Sequence, residues 1–79
     1  MFMQNTLRVF AEWDEEGRVW VATSDDVAGL ATEADTMEVL CDKLKIMVPE
    51  LLSANGYPDL DNMRYELVMR RLPVANRIY

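Results

Sequence analysis

The sequence predicts a two-layer α+β domain in the order β-β-β-α-β, an antiparallel sheet with one helix packed on one of its faces. Three observations predict it. Residues 6–23 form two runs that divide into two faces with period two, separated by a polar turn. Residues 36–53 repeat their apolar positions with the helical period, and residues 63–72 return to alternation. One amphipathic helix can cover one face of a four-stranded sheet, so two layers follow.

The first run, Thr6 to Trp13, sets Leu7, Val9, Ala11 and Trp13 on one face and Arg8, Phe10 and Glu12 on the other. Asp14-Glu15-Glu16-Gly17 is a turn, and Arg18 to Thr23 is a second strand. Gly17 suits the left-handed position of a three-residue hairpin loop. That loop pairs Asp14 with Arg18, Glu12 with Trp20, Phe10 with Ala22, Trp13 with Val19 and Ala11 with Val21. Leu7, Val9, Ala11, Val19 and Val21 then form the inner face. Phe10, Trp20 and Ala22 lie on the uncovered face, joined by Val68 from the last strand. Aromatic residues on an open sheet are an expected self-association surface, so Phe10, Trp20 and Val68 are the candidate dimer contacts.

Ser24-Asp25-Asp26 is a polar break before Val27-Ala28-Gly29, and Leu30 to Ala34 reads as a short third strand. Asp35 and Glu38 have the spacing of a capping box, opening a helix from about Thr36 to Ser53 that stops at Asn55-Gly56. Met37, Leu40, Leu44, Met47, Val48 and Leu51 share its apolar face, flanked by Cys41 and Leu52. Pro49 leaves the Lys45 carbonyl without its helical donor, so a bend is expected there. Tyr57 to Asn62 is a loop by its Pro, Asp and Asn content. Met63 to Leu72 is the last strand, and Pro73 ends it before a tail over 73–79.

Seventy-nine residues, 51% of them hydrophobic and 28% charged, fit one globular domain with a thin core, for which self-association is a natural supplement. A single cysteine excludes an intrachain disulfide, and the N-terminus lacks the apolar core of a signal peptide. No apolar run approaches the roughly 20 residues of a membrane span. A soluble, cytoplasmic protein is the expectation. The net charge of −6 is concentrated: residues 12–38 hold nine carboxylates against Arg18 alone, a block of −8. Such a surface repels phosphate backbones and suits a basic protein partner.

Enzymatic chemistry finds little to work with. There is no histidine, hence neither the commonest general base nor the commonest transition-metal ligand. Cys41 lies on the flank of the helix core face, where cysteine usually serves packing. Three glycines build no phosphate-cradling loop. The carboxylates of Asp14-Glu15-Glu16 and Asp25-Asp26 fall at opposite ends of a strand, a poor arrangement for a Mg²⁺ or Mn²⁺ site. No catalytic residue, cofactor or metal is expected.

The run Trp13 to Glu16, then Val19 to Leu30, then Thr32 to Thr36, then Val48-Pro49-Glu50-Leu51-Leu52 with Asn55-Gly56 closely resembles the DUF1902 family of small bacterial proteins, related to the HicB antitoxin superfamily. The superfamily's Asp-x-Pro-Gly signature stands here as Asp26-Val27-Ala28-Gly29, with Ala28 in place of proline. The resemblance implies a partial RNase H-like β-β-β-α-β domain without catalysis. HicB antitoxins neutralise a small basic mRNA-cleaving toxin by binding it, and often carry a further DNA-binding segment that has no counterpart in this sequence. Direct nucleic-acid binding is therefore not expected. The expected role is an antitoxin-type protein-binding domain, dimeric through its sheet, that holds a small basic partner against Glu12, Asp14, Glu15, Glu16, Asp25, Asp26 and Glu33. A stand-alone oligomerising module without a toxin is the alternative.

Overall fold

A computed structural model of the chain describes residues 6–72; the 73–79 tail lies outside the described residues. The elements are β1 (Leu7–Asp14), β2 (Val19–Thr23), β3 (Ala31–Ala34), α1 (Met37–Ala54) and β4 (Tyr65–Arg70), with a single 3-10 turn over Leu60–Asn62. The strands form one sheet in the order β3-β2-β1-β4, and α1 lies on one face of it, leaning over β3 and β2.

The fold is α+β as predicted, but the sheet is mixed rather than antiparallel. β2 is antiparallel to both β1 and β3, whereas β4 runs parallel to β1. The reason is the helix. Alternating hairpin turns make β3 parallel to β1, α1 carries the chain back to the end where β3 began, and the next strand must then run in β3's direction.

The β1–β2 hairpin differs from expectation by one residue. Ala11 pairs with Ala22, Trp13 with Trp20 and Asp14 with Val19, so four residues, Glu15 to Arg18, make the loop. The Arg18 amide donates to the Asp14 carbonyl at 2.7 Å, and Arg18, not Gly17, holds the left-handed conformation at φ +58°. Gly17 lies against the Asp14 side chain. Asp14 Oδ1 accepts the Glu16 amide at 3.1 Å, and a Cβ at position 17 would stand 2.9 Å from Asp14 Oδ2.

A shift of one residue exchanges the faces of a whole strand. Trp20 (9% exposed) and Ala22 (fully buried) therefore join Leu7, Val9 and Ala11 under the helix, while Val19 and Val21 face the open side. Trp20 meets Trp13 edge-on, with ring centroids 5.4 Å apart and planes at 62°.

Thr36, rather than Asp35, caps the helix: its Oγ1 accepts the Val39 amide at 3.1 Å. Leu40, Leu44, Val48 and Leu52 form the buried stripe, with Met37, Met47 and Leu51 half-buried beside it. Leu52 thus sits at the centre of the apolar face instead of on its flank. At the other end Gly56 is left-handed at φ +80°, its amide bonds the Ser53 carbonyl, and the Tyr57 amide reaches the Leu52 carbonyl at 2.9 Å. This pair of bonds is a Schellman motif, satisfying carbonyls that a helix end otherwise leaves without donors.

Between β2 and β3 the Leu30 amide bonds the Val27 carbonyl at 3.2 Å, with Gly29 left-handed at φ +85°, the geometry a type II turn requires at its third residue. The turn drives Val27 and Leu30 into the core, and Asn55 Nδ2 ties it to the helix end by donating to the Ala28 carbonyl at 3.2 Å.

Candidate protein-binding face

Among the described residues, one helix covers one face of the sheet and leaves the other open. The ladder places its side chains in rows. Arg8 lies beside Glu66, Phe10 beside Val68 and Glu12 beside Arg70 across β1 and β4. On the other side Val21 stands between Glu12 and Glu33. The centre is apolar and its rim is charged. Phe10, on the interior strand β1, is 37% exposed, and Val68, beside it on the edge strand β4, is 36% exposed. Arg8 Nε donates to Glu66 Oε1 at 3.1 Å, an exposed pair that adds little stability but orients both chains. Phe10, Glu12, Thr23, Asp25, Val68 and Arg70 line a shallow depression of about 380 Å³ on this face.

The seven carboxylates expected to hold a partner divide into three groups. Glu12, Glu33 and Asp25 belong to the open face or its rim. Asp14, Glu15 and Glu16 sit at the hairpin tip, where two of them have local work. Asp14 organises the turn, and Glu15 accepts the Trp13 indole N–H at 2.9 Å and lies 3.6 Å from Arg18.

Asp26 is committed to the backbone: its Oδ2 accepts the Arg8 amide at 2.8 Å. Ser24 completes the same clasp. Its hydroxyl donates to the Arg8 carbonyl at 2.5 Å and accepts the amides of Asp26 and Val27 at 3.0 and 3.1 Å. The two side chains thus continue the β1–β2 ladder past the last residue of β2. In the sequence Asp26 reads as surface acidity, yet the structure uses its carboxylate as a strand-end acceptor. The signal that could have revealed this is a Ser-x-Asp spacing directly after a strand, the pattern of side chains that bond nearby amides.

Of the expected self-association residues, Phe10 and Val68 are neighbours on the open face, but Trp20 is corrected to the core. Val21 takes its place outside. Glu66 and Arg70 complete the surface beside Arg8, which the alternation of β1 already sets on the Phe10 face. Glu66 and Arg70 could have been placed only from the parallel pairing of β4 with β1.

Among the described residues no three His, Cys, Asp or Glu side chains converge as a metal site would require. Burial raises the Tyr65 phenol above its ordinary pKa of 10.0, with nearby Cys41 adding to the rise; this ring lies on the helix side. No described helix is long and apolar enough to cross a membrane.

The sequence model for a domain of unknown function, DUF1902, matches residues 6–76 of this chain. The chain belongs to the DUF1902 family. The hypothetical protein TTHA1013 from the extremely thermophilic bacterium Thermus thermophilus, known from a crystal structure, is 49% identical to this DUF1902 domain. The alignment covers 92% of this chain and 100% of that one, with a TM-score of 0.70. Comparison with curated proteins finds no match.

Proposed function

We propose that this DUF1902 domain is a non-enzymatic, HicB-like antitoxin-type module of the cytoplasm that binds a small basic protein on its open sheet face and so holds it inactive. The observation that carries the reading is the face itself: an apolar centre of Phe10, Val21 and Val68 with Glu12, Glu33 and Asp25 around it, on a chain of net charge −6. Apolar centres with polar rims are the usual anatomy of protein contacts. Excess negative charge steers a basic partner to the face and disfavours acidic or phosphate-bearing competitors. The hairpin carboxylates Glu15 and Glu16 contribute to that long-range attraction from the end of the sheet.

The experiment is capture from the native host on immobilised domain. Wild type should retain a small basic protein at low salt and release it at high salt, and co-expression should relieve growth arrest caused by that protein alone. Glu12→Lys combined with Glu33→Lys should lose both effects while melting near wild type. If no basic protein is retained at low salt, or if the double variant still neutralises it, the reading fails.

A further inference from the structure

We propose that the chain forms a two-fold homodimer by antiparallel pairing of β4 with β4 of a second copy, in the register that sets Val68 against Val68 and Glu66 against Arg70. This goes beyond the binding reading above and does not depend on it.

Among the described residues, β4 is an edge strand with no partner on its outer side. The Leu7 amide bonds the Arg64 carbonyl, so even-numbered residues of β4 turn their N–H and C=O groups toward β1. The odd-numbered Tyr65, Leu67 and Met69 turn theirs to the free edge. Natural edges of this length are usually blunted by charge, proline or a covering element. The opposite edge is: β3 has four residues, and Lys43 Nζ donates to the Glu33 carbonyl at 2.6 Å. The β4 edge is uncovered among the described residues, and its exposed apolar side chains stand between the charges of Glu66 and Arg70. Val68 is 36% exposed, Leu72 74%, and Met69, although on the helix side of the sheet, is 58% exposed because α1 leans toward β3 and β2.

The side chains select a second copy as the occupant. Glu66-Val68-Arg70 on the open face reads minus, apolar, plus, a pattern that matches itself when reversed. Centred on Val68, antiparallel pairing places Glu66 against Arg70 twice, and sets Leu67 and Met69 in the hydrogen-bonded positions that their outward N–H groups require. Shifting the register by two residues toward Arg64 opposes Arg64 to Arg70, and shifting it the other way opposes Glu66 to Leu72. The charges within each chain extend the match. A row running Arg8, Glu66, then Arg70 and Glu12 of the second copy alternates in sign across four strands, and the row beside it is Phe10, Val68, Val68, Phe10.

Sedimentation velocity across a concentration series tests this. Wild type should pass from monomer to dimer, and the amides of Leu67 and Met69 should gain hydrogen-exchange protection in step. Met69→Pro removes an outward N–H without touching the β1–β4 ladder, so it should remain folded and monomeric. Glu66→Arg and Arg70→Glu should each weaken the homodimer roughly tenfold, because each puts like charges opposite one another twice. Mixed together, those two variants should form a heterodimer. A wild type that stays monomeric, a folded Met69→Pro that still dimerises, or a mixture that yields no heterodimer overturns the proposal.

Discussion

Replacing Trp20 with alanine tests the register on which the whole face assignment rests. Trp20 is the one aromatic ring among the buried core residues described, closed over by the helix and in edge contact with Trp13. A buried tryptophan removes about 200 Å² from water, which at about 25 cal/mol per Å² gives roughly 5 kcal/mol as an upper figure. Truncations of this kind cost about 3–5 kcal/mol when the surroundings relax only partly. A domain of this length has a total stability of about 4–12 kcal/mol by the usual range per residue, so Trp20→Ala should consume a large share of it. Val21→Ala, on the open face, should cost no more than about 1 kcal/mol. Urea unfolding followed by circular dichroism measures both, with the midpoint falling steeply for the first and little for the second. If Val21→Ala is the more damaging change, the strand is turned the other way, and Trp20 returns to the open face.

The clasp at the end of β2 predicts that Asp26→Ala lowers stability by about 1–2 kcal/mol through loss of a charged acceptor for the Arg8 amide, whereas Asp26→Asn, which keeps an acceptor, should cost less; chemical denaturation distinguishes them. Ala28 occupies the second position of the Val27–Leu30 turn, where proline is favoured, so Ala28→Pro should stabilise by about 0.4–1 kcal/mol and raise the melting temperature. Tyr65 has its folded pKa raised by burial, so the unfolded chain ionises first. The stability that Tyr65 contributes is therefore full below pH 10.0 and is lost as pH rises through the folded value; Tyr65→Phe should flatten this alkaline limb in pH-dependent melts.

The kinds of element were legible in the sequence because their periods are strong. α1 shows it best: Leu40, Leu44 and Val48 mark its buried side, and Asn55-Gly56 marks its end. β2 was ambiguous for a physical reason. Val19-Trp20-Val21-Ala22 is apolar at every position, so alternation cannot say which side faces in. The decision passed to the turn, where a glycine suggested a left-handed residue but Arg18 holds that conformation. The open face suffered a second loss, since β4 reaches β1 only through the helix crossover, and no local signal specifies a parallel neighbour. Phe10 and Val68 could be suspected separately; their contact, and the charged rows beside it, required the register.

The position of β4 also bears on how the chain assembles. Arg8 and Glu66 are 58 residues apart, so closing β4 onto β1 carries an entropic cost of order 3–4 kcal/mol beyond a fixed constant. Hairpin contacts between β1, β2 and β3 are far more local and should form sooner. During synthesis the N-terminal strands emerge first and the last strand emerges after the helix. Until then β1, an interior strand of the finished sheet, is itself a bare edge bearing Leu7, Val9 and Phe10. The nascent chain is thus vulnerable to mispairing at a strand that ends up in the interior of the sheet, and the arrival of β4 moves the exposed edge from β1 to β4.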